Sequence, residues 1–177
     1  KKEKKETEEM KDQKENIVLI GMPGSGKSTV GVILAKVLGY TFVDSDLLIQ
    51  KEEKRLLKDI IAKEGQEGFL KIENRVNKSI DTEKSVIATG GSVVYCQEAM
   101  EHLKKIGTVL YLKLDYQILN RRLSNLIGRG VVLRKGQTLK DLYEERLPLY
   151  EKYADHIIDE KKTDAEGTLQ KILEILQ

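Results

Sequence analysis

The sequence contains few of the residues that define disulfide-rich, metal-thiolate and membrane proteins. Its 177 residues include one cysteine, Cys96, two prolines, two phenylalanines and no tryptophan. A single cysteine excludes a disulfide framework within this chain and a metal site built from several thiolates. No apolar run approaches the ~18 residues of a membrane-spanning helix, and the short run "IVLI" is no signal-peptide core. We therefore expect a cytoplasmic protein without a membrane partner.

An excess of charge of one sign is also missing. The chain has 31 lysines and arginines against 29 aspartates and glutamates, a net charge of +2. So small an excess gives no reason to expect a nucleic-acid partner. Apolar residues make up 40% and charged residues 34% of the chain, which is typical of a soluble domain. The length fits one domain, and we expect a monomer.

The charged residues are concentrated at the start of the chain. Residues 1–16, "KKEKKETEEMKDQKEN", hold six lysines and six acids, with Met10 as their one apolar side chain. Such a segment cannot bury enough apolar surface to offset the entropy lost on ordering. We interpret residues 1–16 as a solvated tail and residues 17–177 as a single domain.

Within that domain, short apolar runs alternate with helical patterns. The predicted strands are 17–20, 40–43, 85–88, 108–114 and 156–158, the last of them an edge strand. The predicted helices are 28–38, 47–64, 69–80, 97–105, 116–126, 139–153 and 165–176, with Gly65 and Gly68 separating the second from the third. This alternation predicts an α/β fold with a parallel sheet and helices on both of its faces. The glycine-rich and cationic segment 128–137 lacks a helical period, and we interpret it as a mobile loop.

The stretch "GMPGSGKSTV" lies between the first predicted strand and the first predicted helix. It matches G-x-x-x-x-G-K-[ST] at Gly21, Gly26, Lys27 and Ser28, the pattern of a phosphate-binding loop. The glycines let backbone N–H groups approach phosphate oxygens, and the helix N-terminus attracts the anion. We expect Lys27 to bridge the β- and γ-phosphates of ATP and Ser28 to ligate Mg²⁺. The predicted nucleotide contacts are Gly24, Ser25, Gly26, Lys27, Ser28, Thr29 and Arg122.

Two carboxylates and a glycine pair follow later strands at the same edge of the predicted sheet. Asp44 and Asp46, in "FVDSDLLI", end the second strand, where α/β sheets bind ligands. One could face the water shell of the metal and the other an acceptor hydroxyl, whose proton it would take. Asp46 could instead cap the next helix. Gly90 and Gly91, in "TGGSVV", could place backbone donors beside a small substrate or could form a plain turn.

Three arginines are candidates for contacts with the ligands. Arg122, on a predicted helix, could stack on adenine or could be a surface cation. Arg129, between two glycines, could close over the phosphates and neutralise charge in the transition state, or could be solvated. Arg146, in "ERLPLY", lies on a helix returning to the sheet, where a buried cation would need an anion.

Together these motifs resemble the shikimate kinase family over residues 17–177. The stretches that carry the resemblance are "GMPGSGKSTVGVILAKVLG", "FVDSDLLI", "EGQEGFLKIE", "ATGGSVV", "GRGVVL" and "ERLPLYEKYAD", in the family's order. The resemblance implies a three-layer P-loop kinase fold with a five-stranded parallel sheet. It also implies a substrate-binding subdomain at about 47–80 and a mobile lid at about 127–138. The implied reaction is transfer of the γ-phosphate of ATP to the 3-hydroxyl of shikimate, a step of aromatic amino acid biosynthesis.

The resemblance also implies roles for individual residues. Asp44 would contact Mg²⁺ through water, and Asp46 would bind the shikimate hydroxyls and act as the base. Arg122 would flank adenine, Arg129 would be the lid arginine and Arg146 would hold the substrate carboxylate. The predicted catalytic residues are Lys27, Asp46 and Arg129, and the predicted substrate contacts are Asp46, Gly90, Gly91 and Arg146.

The sequence departs from the family pattern in its acceptor-binding motifs. Leu70 stands where the family has an arginine for the shikimate carboxylate, Ser92 where it has a third glycine, and Gln50 where it has an acid. Losing one charge-assisted contact costs roughly 1.5–3 kcal/mol, and a leucine also disfavours a carboxylate placed beside it. The candidates for a compensating cation from elsewhere in the chain are Lys71, Arg75, Arg134 and Lys135.

These departures leave two alternatives to a shikimate kinase. The same machinery could phosphorylate another small hydroxylated acid or a neutral polyol, which Leu70 would favour. The chain could also be a catalytically weak ATP-binding regulator. A nucleoside monophosphate kinase agrees less well with the Asp44 and Asp46 pair and with "ERLPLY".

Overall fold

A single parallel sheet forms the centre of the computed structural model, which describes residues 15–124, 133–160 and 164–177. Its strands are β1 (Asn16–Ile20), β2 (Thr41–Asp44), β3 (Ser85–Ala88), β4 (Gly107–Lys113) and β5 (His156–Asp159). They are ordered β2-β3-β1-β4-β5, and all four pairs are parallel. The predicted five-stranded parallel sheet is confirmed, including β5 as an edge strand.

Seven α-helices surround this sheet in the described part of the chain. They are α1 (Lys27–Leu38), α2 (Ser45–Glu53), α3 (Leu57–Lys78), α4 (Gln97–Ile106), α5 (Tyr116–Ser124), α6 (Leu139–Tyr153) and α7 (Ala165–Leu176). A short 3₁₀ helix, Gly91–Tyr95, follows β3. None of the helices that the structure describes is long and apolar enough to cross a membrane.

The sheet is covered on both faces because its central strands are apolar on both sides. Every residue of β1 and β3 is buried. Alternate residues of the strands enter two different apolar clusters, one shared with α1 and α7 and the other with α4, α5 and α6. Side chains of a strand point to opposite faces in turn, so continuous apolar runs require a layer of helices on each face. The expected three-layer arrangement is confirmed.

A third, smaller apolar cluster holds α2 and α3 together beside the sheet. It consists of Ile49, Ile60, Phe69 and Val76, with four partly buried neighbours from the same two helices. The two helices therefore have a small core of their own, and they carry one wall of the cavity described below.

The division between these two helices differs from the sequence prediction. The stretch predicted to be mostly helical over 47–64 belongs to two helices, because α2 ends at Glu53 and Lys54 adopts a left-handed conformation (φ 54°). The side chain of Gln50 then accepts a hydrogen bond from the backbone of Leu57 at the start of α3. Gly65 does interrupt α3, with φ 71°. The break predicted at Gly68 is wrong, since Gly68 is helical and its missing Cβ leaves room for Glu64, which would lie 2.6 Å away.

Asn16 belongs to the sheet and not to the charged tail, so the predicted tail boundary is wrong at this residue. Its side-chain amide donates to the carbonyls of Thr82 and Ile106, at 2.8 and 2.9 Å, and its oxygen accepts from the backbone of Ser85 at 3.0 Å. A buried asparagine with all these bonds ties β1 to the segments before β3 and β4. Residues 1–14 of the predicted tail lie outside the described residues.

Candidate active site

The loop between β1 and α1 has the backbone geometry of an anion-binding cradle. Gly24 and Gly26 have φ angles of 82° and 91°, which favour glycine. Gly26 is the N-cap of α1 and provides no side-chain bond to the first-turn N–H groups. Those groups and the positive end of the helix dipole are therefore available to a phosphate. Ser28 and Thr29 lie in this first turn and are exposed.

The ammonium group of Lys27 is held over this loop. Its Nζ donates to the carbonyl oxygens of Gly21 at 2.7 Å and Met22 at 2.9 Å, and the side chain is buried. Burial lowers the pKa of Lys27 to about 8, and the negative charge of Asp46 opposes this shift. Lys27 is thus mostly protonated at neutral pH and interacts electrostatically with an acid at the end of β2.

Asp44 and Asp46 have different positions at that strand end. Oδ1 of Asp44 accepts from the backbone N–H groups of Asp46 at 3.0 Å and Leu47 at 3.2 Å, so Asp44 is the N-cap of α2. The alternative that Asp46 caps this helix is wrong. Burial, and then the neighbouring charge of Asp44, raise the pKa of Asp46. A carboxylate made more basic in this way is suited to accept a proton.

A cavity of about 580 Å³ opens beside the phosphate loop. Pro23 of the loop and Asp46 both border it, so the cavity is continuous with the phosphate-binding region. Its apolar wall comes mainly from α3 and the turn before it, and consists of Leu56, Leu57, Ile61, Ala62, Phe69 and Leu70, with Leu142 from α6. Its polar lining contains Asp46, Glu73, Gly90, Gly91, Ser92 and Arg146. A small molecule with both polar and apolar faces matches such a cavity.

The two glycines after β3 allow the polar groups to approach each other. A Cβ on Gly90 would lie 2.7 Å from Oδ1 of Asp46 and 2.9 Å from Oε2 of Glu73. A Cβ on Gly91 would lie 2.7 Å from Pro23 and 2.9 Å from a guanidinium nitrogen of Arg146. Any larger residue at either position would displace these groups. A plain turn does not account for this crowding.

Arg146 reaches the cavity from α6 and is 7% exposed. Its guanidinium lies 5.4 Å from the centre of the Tyr95 ring. Its Nε has no hydrogen-bond partner among the described residues. Tyr150, one helical turn further along α6, is fully buried and donates to the carbonyl of Gly91 at 2.6 Å. This bond holds Gly91 in place.

Glu73 is a buried acid of the site to which sequence reasoning assigned no role. Its side chain has no exposed surface, and Oε1 accepts a 2.6 Å hydrogen bond from the hydroxyl of Ser92. Oε2 has no hydrogen-bond partner among the described residues. Burial raises the pKa of Glu73 to about 7, the nearby Asp46 charge adds to this shift, and Ser92 and Arg146 oppose it. Glu73 lies one helical turn after Leu70, and that spacing is the signal that could have identified it.

The cations proposed to compensate for Leu70 have different positions. Arg134 lines the cavity. Arg75 forms ion pairs with Glu52 and Glu53, and Lys71 lines a separate, open cleft on the other side of Leu70. Lys135 borders neither. Lys58, at the start of α3, also lines the cavity and was not predicted.

Arg122 contacts the phosphate loop from α5. One of its guanidinium nitrogens donates to the carbonyl of Gly24 at 2.9 Å, so it lies beside the loop and is not an unattached surface cation. Arg129 and the first half of the predicted lid lie outside the described residues, because residues 125–132 are not among them. The described part of the chain holds no group of three or more histidine, cysteine or acidic side chains that could bind a metal by itself.

Comparisons with known proteins agree on one family. The family model described as shikimate kinase matches residues 23–177. A shikimate kinase of Thermodesulfovibrio yellowstonii is 40% identical over 161 residues, which cover 89% of this chain and 92% of that protein. A shikimate kinase of Synechococcus elongatus is 36% identical over 164 residues, 91% of this chain and 86% of that protein.

Solved structures give the same result. The structure of shikimate kinase from Acinetobacter baumannii in complex with shikimate has a TM-score of 0.83 and 34% identity, covering 93% of this chain and 94% of that one. The shikimate kinase of Aquifex aeolicus has a TM-score of 0.75 and 32% identity, covering 91% of this chain and 95% of that one. The sheet and helices described above are therefore those of known shikimate kinases.

Proposed function

The chain belongs to the shikimate kinase family, and we propose that it transfers the γ-phosphate of ATP to a hydroxyl group of shikimate. The observation that carries this proposal is the position of Asp46. Its carboxylate borders the cavity at Gly90 and interacts electrostatically with Lys27 of the phosphate loop. An acceptor hydroxyl in the cavity would thus lie between a base and the phosphate-binding loop.

On the donor side, the loop and Lys27 would hold the triphosphate. The first-turn N–H groups of α1 and the Lys27 ammonium would neutralise charge that moves onto the β–γ bridging oxygen as ADP leaves. Arg122, already against Gly24, would flank the nucleotide. Mg²⁺ would come with ATP, since one hydroxyl and one carboxylate suit a hard cation that keeps most of its water. We propose that the hydroxyl is that of Ser28 and the carboxylate that of Asp44. Both capping bonds of Asp44 go to Oδ1, so Oδ2 remains for the water shell of the metal.

On the acceptor side, Asp46 would orient the hydroxyl and take its proton. The hydroxyl oxygen then forms a bond to the γ-phosphorus while the bond to the β–γ bridging oxygen of ADP breaks. Gly90 and Gly91 would let the ring approach the backbone, and Arg146 would bind the acceptor carboxylate. We propose that residues 47–80 form the acceptor-binding subdomain, that a lid at about 127–138 brings Arg129 to the phosphates, and that the enzyme is a cytoplasmic monomer.

A coupled assay of ADP release with shikimate tests the proposal. Asp46→Asn should lower kcat about 10²- to 10⁴-fold, while calorimetry should show ATP binding retained. Lys27→Ala should weaken ATP binding itself. Asp81→Asn, which removes an exposed aspartate after α3, is the matched control. Purified protein that binds ATP but forms no phosphorylated shikimate would refute the proposal and favour an ATP-binding regulator.

A neutral or less acidic acceptor is a second candidate, because Leu70 places an apolar side chain on the cavity wall. Assays with a panel of hydroxylated acids, each compared with its neutral ester, distinguish a shikimate kinase from a kinase of neutral polyols. A higher kcat/KM for the neutral member of a pair would favour the polyol kinase.

A further inference from the structure

The side chains that line the cavity include as many acids as cations. Among the described residues, its charged lining consists of three acids and three cations, namely Asp46, Glu73, Glu145, Lys58, Arg134 and Arg146. An arginine at position 70 would have given an excess of one cation, and Leu70 removes it. An acceptor carboxylate must therefore find its cationic contacts elsewhere on the lining.

Three cations near Leu70 are in the wrong place or already paired. Arg75 is bound to two glutamates of α2. Lys71 is adjacent to Leu70 but faces another cleft, and Lys135 lines neither space. Besides the buried Arg146, Arg134 and Lys58 are therefore the cations that the described residues place on the cavity. Lys58 is exposed and forms no ion pair with any residue that the structure describes.

Arg134 is held at the cavity by a tight turn before α6. The Gln137 backbone donates to the Arg134 carbonyl at 2.9 Å, and the Arg134 backbone donates to the Gln137 side chain at 3.1 Å. Gln137 in turn donates to Glu145 at 2.9 Å, and Thr138 caps α6. The Arg134 side chain is 63% exposed and lies 3.6 Å from a Glu145 oxygen. The backbone is thus well anchored, while the guanidinium keeps donors for a ligand.

We propose that Arg134 and Lys58, at the exposed rim of the cavity, supply the contact to the acceptor's acid group that position 70 does not make. This inference rests on the proposed function. Arg146 binds the same group from the buried end, so the acid lies between a buried arginine and two solvated cations. The rim contacts are screened by salt more strongly than a buried pair, and they act on acceptor binding rather than on phosphoryl transfer.

Steady-state kinetics with shikimate and with its uncharged methyl ester test the inference. Arg134→Gln should raise the KM for shikimate on the order of fivefold, and the double variant with Lys58→Gln on the order of tenfold. We expect kcat, the KM for ATP and the KM for the ester to stay unchanged. Added salt should raise the KM for shikimate in the wild type more than in the double variant. Lys71→Gln, next to Leu70 but outside the cavity, is the matched control.

Each other outcome has a distinct meaning. Equal KM values for wild type and double variant, or equal losses with acid and ester, would overturn the inference. If Glu145→Gln abolishes the effect of Arg134→Gln, Arg134 acts by masking Glu145, and its direct contact is refuted. A wild type that does not phosphorylate shikimate overturns the proposed function instead, which separates the two failures.

Discussion

Replacing Glu73 with glutamine should change the pH dependence of stability by a predictable amount. The carboxyl group has no exposed surface, and its pKa rises from an ordinary 4.5 to about 7 on folding. Between these values the folded state binds more protons at Glu73 than the unfolded state does, so this group makes the protein less stable as the pH rises. Each pH unit corresponds to about 1.4 kcal/mol, which gives about 3 kcal/mol across the interval.

Urea denaturation of wild type and the Glu73→Gln variant between about pH 4.5 and 8 measures this effect. Glutamine keeps the shape and an oxygen for the Ser92 hydroxyl but does not titrate. The free energy of unfolding of the variant, relative to wild type, should rise by about 3 kcal/mol as the pH increases. Glu67→Gln, an exposed glutamate on the same helix, controls for loss of a carboxylate.

Taking the difference between the two proteins removes most of the effect of other titrating groups. Asp46 and Glu160 also have raised pKa values, but both are present in wild type and variant. A difference that stays flat with pH would show that Glu73 does not hold a proton in the folded state. A difference that falls as the pH rises would mean that the folded site stabilises the charged carboxylate, and the description of the site would be wrong.

Three further perturbations test the cavity and the sheet. Leu70→Arg puts a cation beside Glu73, and the KM for shikimate should fall about tenfold in steady-state assays. An unchanged KM would show that the carboxylate of the acceptor does not bind near this wall. Gly90→Ala places a methyl group 2.7 Å from Asp46, so kcat should fall on the order of a hundredfold, while the affinity for ATP, measured by calorimetry, should be retained. Normal turnover would refute the close approach of Asp46 to the backbone at Gly90. Asn16→Ala leaves one buried and two partly buried backbone groups without their partner and should lower the free energy of unfolding in urea by about 3 kcal/mol. A negligible loss would mean that water replaces the amide.

The parts of the site that sequence alone predicted lie within continuous stretches. The phosphate loop is one segment between a strand and a helix, so its motif could be found from spacing and its geometry follows from glycine conformations. The central strands β1, β3 and β4 were predicted because apolar runs buried on both faces are distinctive. The boundary between α2 and α3 was not predicted, because a lysine in a left-handed conformation, as at Lys54, has no signal in the composition of the segment.

The acceptor side was only partly predictable. Asp46 and Arg146 were predicted from motifs, and both line the cavity. The alternative that Asp46 caps the next helix was wrong, because Asp44, two residues earlier at the same strand end, makes the capping bonds. Glu73 was missed because a glutamate on a helix is usually solvated. Its hydrogen bond comes from Ser92, 19 residues away in the chain, and its burial results from packing that no local sequence pattern indicates.

The order of residues along the chain therefore determined the phosphate-binding loop, the layers of the fold and the family, since each depends on neighbours in sequence. Tertiary structure decided which charges share the acceptor cavity. Glu73, Gly90, Arg134 and Arg146 come from four segments, and their protonation and reach depend on burial and distance, which arise only when those segments pack together.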